Sequence, residues 1–254
     1  MQYTLKKSMG QHFLHDENVC LKIVDAIGEP EGLLLEIGPG GGAITKYLKD
    51  LPFEQYRCIE LDFEKVAYLK TTYPDLADKI IQGDFLHALP PFESSFKIAG
   101  NFPYNISTQI VFKVLDWRNQ VTELTGMFQK EVAQRIASAH GNKNYGILSV
   151  LTQCYYEVEY LFDVDANSFT PPPKVVSGVI KMKRKNEPDQ LEDYLGFKKF
   201  VKAAFNQRRK TLRNGFKSIL SPEILKEEIF NKRAEQLSVQ EFIELYKMTR
   251  KQCV

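Results

Sequence analysis

Apolar positions along the chain alternate between two periods. "ENVCLKIVDAIG" places apolar side chains at helical spacing, with Asp16 as its cap and Gly28 as its stop. "GLLLEIGPGGGAITKYLKDL" opens on a short apolar run, Leu33 to Ile37, breaks into glycines and resumes at helical spacing, which predicts strand, tight turn and helix. The alternation continues. "YRCIELD" reads as a strand followed by the helix "FEKVAYLKTTY", and "DKIIQGD" as a third strand. "SFKIAG" leads into the helix "STQIVFKVLDW", and "ELTGMFQ" into "KEVAQRIASA". Strands alternating with helices predict a parallel sheet covered on both faces.

Beyond residue 147 the pattern changes. "LSVLTQCYYEVEYLF" and "VVSGVIKMKRK" read as strands with no long helix between them, joined by a loop containing "NSFTPPPK", so an antiparallel pair is expected at the sheet edge. The polar stretch "KRKNEPDQLED" is the linker candidate, giving domains over 1–185 and 186–254. The second domain is expected to be helical. Ser221-Pro222 resembles a cap followed by proline at the first helical position, and Ser238 with Glu241 fits a capping box.

Composition narrows the class. The 254 residues are 43% hydrophobic and 26% charged, as in a soluble globular protein. No apolar run is long enough to span a membrane, and the opening "MQYTLKKSMG" lacks the apolar core of a secretory signal, so the cytoplasm is expected. The four cysteines and four histidines are scattered without metal-ligand spacing, so no metal is expected. No interface pattern stands out, and a monomer is expected. Net charge is only +2, yet from Lys198 onward fourteen Lys and Arg face six Glu and no Asp, which points to a polyanion partner for that part.

In open parallel sheets ligands bind beyond the carboxyl ends of the strands, and four groups of residues fall there. Gly38, Gly40 and Ala43 in "EIGPGGGA" match a dinucleotide fingerprint, a weak signal alone. Glu60 ends the second strand, where a carboxylate accepts ribose hydroxyls, a feature that suits NAD and S-adenosylmethionine equally; the nearby Asp62 reads as a helix cap. Asp84 follows the third strand, placed to accept from an adenine amino group or to cap its own turn, with Phe85 beside it to pack on the ring. The fourth group is "AGNFPYNIST".

That last group is the most telling. An adenine amine is planar and conjugated, and must regain tetrahedral character to attack a methyl group. Acceptors aimed at its N–H bonds favour that change as positive charge develops. The Asn101 side-chain oxygen is one candidate. The Phe102 carbonyl is the other, freed from helical use because Pro103 follows. Tyr104 offers a flat face for a splayed-out base, and Phe169 in "SFTPPPK" a second. Ordinary core packing is the competing reading of the aromatics.

"GQHFL", "EIGPG", "IELD", "GNFPYNIS", "FTPPPKV" and "FNQRRKTLRN" occur in this order, and together they resemble the KsgA/RsmA-type small-subunit ribosomal RNA adenine dimethyltransferases over nearly the whole chain. The resemblance implies a Rossmann-like class I S-adenosylmethionine-dependent methyltransferase domain with a seven-stranded mixed sheet, then a small helical domain. It implies transfer of two methyl groups to N6 of each of two adjacent adenosines near the 3′ end of small-subunit rRNA, within an immature ribosomal subunit. The cofactor contacts carried over are His12, Leu14, Gly38, Glu60, Asp84 and Asn101. The catalytic motif is Asn101, Phe102, Pro103 and Tyr104, with Phe169 as the second stacking ring. Arg208, Arg209, Lys210 and Arg213 are expected to contact RNA, with Lys198, Lys199 and Lys202 nearby. The family usually has Asn at His12 and Leu at Phe102.

Three rivals remain at this level. A DNA adenine methyltransferase shares the "NFPY" logic but usually carries a separate target-recognition region, and none is evident. A nicotinamide oxidoreductase explains the glycines and Glu60 but not residues 101 to 104. A catalytically silent RNA-binding factor keeps the scaffold but has no need of Asn101 and Tyr104.

Overall fold

The computed structural model describes residues 12–186, 191 and 193–251. The chain forms two compact units. The first takes the described chain up to Ala133 together with Val158–Arg184; the second takes Gln134–Glu157 and the described chain from Lys185 on. Residues 187–190 and 192 of the polar stretch expected as a linker lie outside the described residues.

In chain order the first elements are β1 (Phe13–Leu14), α1 (Glu17–Ile27), β2 (Leu33–Ile37), α2 (Thr45–Leu48), β3 (Gln55–Glu60), α3 (Phe63–Thr72) and β4 (Ile80–Gln82). Then come β5 (Phe96–Asn101), α4 (Ser107–Asp116), β6 (Val121–Gln129), α5 (Lys130–Ala137), α6 (Ile147–Tyr155) and β7 (Tyr156–Val164). The last are β8 (Phe169–Thr170), β9 (Ser177–Arg184), α7 (Tyr194–Asn206), α8 (Leu212–Phe216) and α9 (Val239–Lys251).

Seven strands form one sheet in the order β4-β3-β2-β5-β6-β9-β7, while β1 and β8 pair separately. From β4 to β6 the neighbours are parallel, and β9 runs antiparallel to β6. This is the mixed seven-stranded sheet expected from the alternating pattern and the edge pair. The chain winds outward from β2 through β3 to β4, then returns to β5 on the other side of β2. That reversal places the carboxyl ends of β2 and β5 side by side at a switch point, where such sheets bind ligands.

The local signals explain the elements. Asp16 Oδ1 accepts from the amides of Asn18 and Val19 at 3.1 and 3.3 Å, capping α1, and Gly28 ends it at φ 76°. The buried residues of α1, Cys20, Ile23, Val24 and Ile27, recur at helical spacing on one face. In β2, Leu34 to Ile37 are all buried, as befits a central parallel strand. In the second unit the Ser238 amide donates to Glu241 at 2.8 Å and the Glu241 amide to Ser238 Oγ at 3.1 Å, the reciprocal cap expected for α9. Rings interlock beneath: Phe200 on Phe216 at 4.5 Å between centroids, Phe205 on Phe242 at 5.7 Å.

Two expectations are corrected. "LSVLTQCYYEVEYLF" is not one strand: Ile147–Tyr155 is helical and only Tyr156–Val164 is extended. The helix buries Leu148 through Thr152 as well as Cys154 and Tyr155, so it has almost no polar face to reveal its period. At Ser221-Pro222 no α-helix begins. Ser221 Oγ accepts from the Ile224 amide at 3.5 Å, but only a 3₁₀ turn, Ile224–Lys226, follows.

Candidate active site

A single cleft at the switch point is lined by the glycine turn after β2, the end of β3, the turn after β4, residues 101–106 after β5, and residues 12–14 with Phe169. All of these belong to the first unit.

The glycine turn is made possible by backbone conformation. Gly38 and Gly40 have φ of 66° and 58°, a region that side chains disfavour. A Cβ on Gly38 would stand 3.5 Å from Pro103 Cδ, filling the gap between the two strand-end turns. Glu60, 7% exposed, clasps the turn: its Oε2 accepts from the Gly40 amide at 3.0 Å and its Oε1 from the Asp62 amide at 2.9 Å. Each oxygen keeps a lone pair for a further donor. Asp62 caps α3 through the Glu64 amide at 3.1 Å, as its position implied.

Asp84 serves its own turn while lining the cleft. Its Oδ1 accepts from the Leu86 amide at 2.9 Å, and its Oδ2 lies 2.8 Å from His87 Nδ1. Phe85 is buried beside it, edge-on to Trp117 at 5.1 Å.

The Asn101–Tyr104 stretch divides by side chain. Asn101 ends β5, half-buried and paired with Met127. Among the described residues neither its side-chain amide nor the Phe102 carbonyl has a hydrogen-bond partner. Two acceptors therefore stand unspent at the cleft wall. The Phe102 ring turns the other way, into the core. It is 1% exposed and packs on Phe128 at 4.8 Å. Two glycines make its seat: a Cβ on Gly100 would come within 2.5 Å of the ring, and one on Gly126 within 2.3 Å. These glycines are register partners on β5 and β6. Tyr104 stays half-buried, its hydroxyl 2.5 Å from Ser177 Oγ, and burial raises its pKa, with the Ser177 bond opposing.

Leu14 and Phe169 face each other across the β1–β8 pair, 1% and 2% exposed within one buried cluster. His12 lies against Tyr104 with ring centroids 5.8 Å apart and planes 28° from parallel.

One cleft residue was legible only as part of the glycine motif. Glu36 is buried to 1% exposure, accepting from Thr45 Oγ1 at 2.9 Å and from the Tyr56 hydroxyl. Burial pushes its carboxyl up to about 7, with Glu60 adding to the rise and the two hydroxyls opposing it. Lys65, also buried, lines the same cleft, a role its place in a helical run did not announce.

The basic residues expected to meet RNA are in the second unit. Arg208 donates to the Lys143 and Tyr145 carbonyls, and Arg213 Nε to the Leu225 carbonyl at 3.0 Å. Arg209 and Lys210 are exposed. Among the described residues no three His, Cys, Asp or Glu gather as metal ligands, and no helix is long and apolar enough to cross a membrane.

A family model described as ribosomal RNA adenine dimethylase matches residues 2–251. The chain belongs to that family. It is 52% identical over 248 residues to a ribosomal RNA small subunit methyltransferase A of Cytophaga hutchinsonii, covering 96% of each chain. It is 54% identical over 253 residues to the protein of that name in Flavobacterium johnsoniae, covering 94% of each. Among solved structures, a dimethyladenosine transferase from Plasmodium falciparum superposes with a TM-score of 0.83 at 24% identity, covering 96% of this chain and 99% of that one, a likeness of fold.

Proposed function

We propose that this chain is an S-adenosylmethionine-dependent methyltransferase that dimethylates N6 of two adjacent adenosines near the 3′ end of small-subunit rRNA, in an immature subunit in the cytoplasm. Membership of the ribosomal RNA adenine dimethylase family over nearly the full length supports the reaction class. The observation that carries the chemistry is the pair of unspent acceptors, Asn101 Oδ1 and the Phe102 carbonyl, in a cleft shared with the glycine turn.

The cleft suits the cofactor. Gly38 and Gly40 keep the backbone of the turn bare of side chains where it lines the cleft, and Glu60 has lone pairs for ribose hydroxyls. Asp84, Leu14 and His12 complete the proposed cofactor contacts. When bound, S-adenosylmethionine supplies an electrophilic methyl carbon on sulfur.

The protein's own work is placement and charge. Asn101 and the Phe102 carbonyl accept from the target amine and favour its tetrahedral form as it gains positive charge. Pro103 holds the chain extended so that the carbonyl stays available. Tyr104, tethered by Ser177, carries the base on its face. In each transfer the target amine would take the methyl group that the cofactor supplies and lose a proton to water, so the cleft needs no strong general base. After the first methyl one N–H remains, so one acceptor suffices and the product reorients between rounds. Outside the cleft, Arg209 and Lys210, with Arg208 and Arg213, contact RNA phosphates.

Tritium transfer from labelled cofactor to small subunits lacking the modification, naked rRNA and duplex DNA tests this reading. Label is expected on adenine N6 in the subunits; label confined to DNA, or none at all, refutes it.

A further inference from the structure

In the first turn of α3 a lysine stands where two general preferences oppose it. Lys65 is the third residue of that helix, and helix N-termini disfavour cations. It is also only 6% exposed, although lysine is among the side chains least often buried. Its position makes sense from the cleft, which it lines together with Glu60 and Gly40. A Cβ on Gly40 would stand 3.6 Å from Lys65 Nζ, and the Gly40 amide is the one that donates to Glu60 Oε2 at 3.0 Å. An ammonium and a carboxylate thus converge on one residue of the glycine turn. Glu60 does not depend on the lysine for its place, since its other oxygen accepts from the Asp62 amide at 2.9 Å.

We propose that Lys65 is a cofactor-binding residue that donates to a ribose hydroxyl oxygen, while Glu60 accepts from the ribose hydroxyls. The proposal rests on the reading of the cleft as an S-adenosylmethionine site. A hydroxyl both donates and accepts, whereas an ionised carboxylate only accepts. Glu60 alone therefore takes the hydroxyl protons and leaves the lone pairs of the oxygens to be met by something else. In a buried cleft an acceptor without a donor is costly. An ammonium carries three N–H donors and no acceptor, the complement of the carboxylate.

The test measures binding of S-adenosylhomocysteine by calorimetry to the full chain and to Lys65→Met, with melting curves to verify folding. This probe has an uncharged sulfur, so loss of the lysine charge does not act through a sulfonium. Its 2′-deoxy and 3′-deoxy analogues are measured beside it. Met is expected to weaken S-adenosylhomocysteine about tenfold, as for a lost hydrogen bond to a charged group. For the analogue that lacks the contacted hydroxyl the loss should shrink to below about threefold, and for the other it should stay near tenfold. Lys65→Gln removes the charge and keeps a shorter donor, and should show a smaller loss with the same dependence on one hydroxyl; it serves alone if Met does not fold. The inference is overturned if neither variant weakens binding, if the loss is equal for both analogues and the parent, or if it vanishes for both analogues, which would mean that Lys65 acts only through Glu60. If the unaltered protein binds neither S-adenosylhomocysteine nor S-adenosylmethionine, the reading of the cleft itself fails, a result seen before any variant is compared.

Discussion

The cleft beyond β2 and β5 and the basic stretch from Lys198 to Arg213 use polar groups in opposite ways. In the cleft, most groups are satisfied by one another, as Glu60 is by the Gly40 and Asp62 amides, and a few acceptors are left over. Each leftover group sits on a turn defined by a strand end, so its direction is set by the sheet. In the second unit cations are spread along a surface. Arg208 and Arg213 donate to carbonyls of their own unit, while Arg209 and Lys210 stand in solvent. A site for one planar base depends on individual atoms. A surface for a polyanion depends on the sum of many weak, salt-screened contacts.

That contrast can be broken by substitution. The largest effect belongs to Asn101→Ala, expected to cut kcat about 10²–10³-fold, as for loss of one transition-state hydrogen-bonding group. Single-turnover methyl transfer would measure it; a loss below tenfold would place the decisive acceptor elsewhere. Next comes the acid on the cleft floor. Glu36 titrates near 4.5 unfolded and about 7 folded, so its raised value favours the folded state at low pH. That contribution is lost as pH rises from about 4.5 to about 7, by roughly 3 kcal/mol at most. Glu36→Gln should therefore flatten the fall in melting temperature over that window; an unchanged slope would show that the carboxyl ionises normally when folded.

Of like size is Gly126→Ala. Its new methyl meets both the Phe102 ring and the Gly100 carbonyl, so stability should drop by about 3 kcal/mol, the upper end of the usual cost of overpacking, with methyl transfer falling as the Asn101–Tyr104 turn shifts. Adding Phe102→Leu relieves the ring clash and leaves the one with the Gly100 carbonyl, so it should recover a part of each loss and not the whole; full recovery would show that the ring alone sets the cost. The smallest effects are expected from Arg209→Gln or Lys210→Gln. Each should weaken RNA binding a few-fold and lower the salt slope by about one, with cofactor affinity intact. Equal loss of cofactor binding would erase the distinction between the two regions.

Signals carried within a few residues were readable before any folding. Asp16 and Gly28 bound α1, Ser238 and Glu241 cap α9, and the glycines after Ile37 turn as their spacing implies. Each depends on contacts within one turn of backbone. Cleft membership was readable too, because strand ends in an alternating pattern converge wherever the sheet reverses its order. Less readable was what each side chain does there. Phe102 and Tyr104 flank one proline and differ little in composition, yet one ring fills a hole between two strands and the other lines the cleft.

By itself, then, the sequence determined the alternating order of strands and helices, the caps, the turn chemistry at the strand ends and the bias of positive charge toward the C-terminal part. All of these follow from local backbone preference and hydrophobic period. Only the tertiary structure decided that Gly100 and Gly126 pair to seat Phe102, that His12 stacks on Tyr104, that residues 134–157 group with the second unit, and that Arg208 and Arg213 donate to carbonyls. Those outcomes join residues far apart in the chain, and their partners exist only once the sheet register and the turns have brought them within hydrogen-bonding and van der Waals reach.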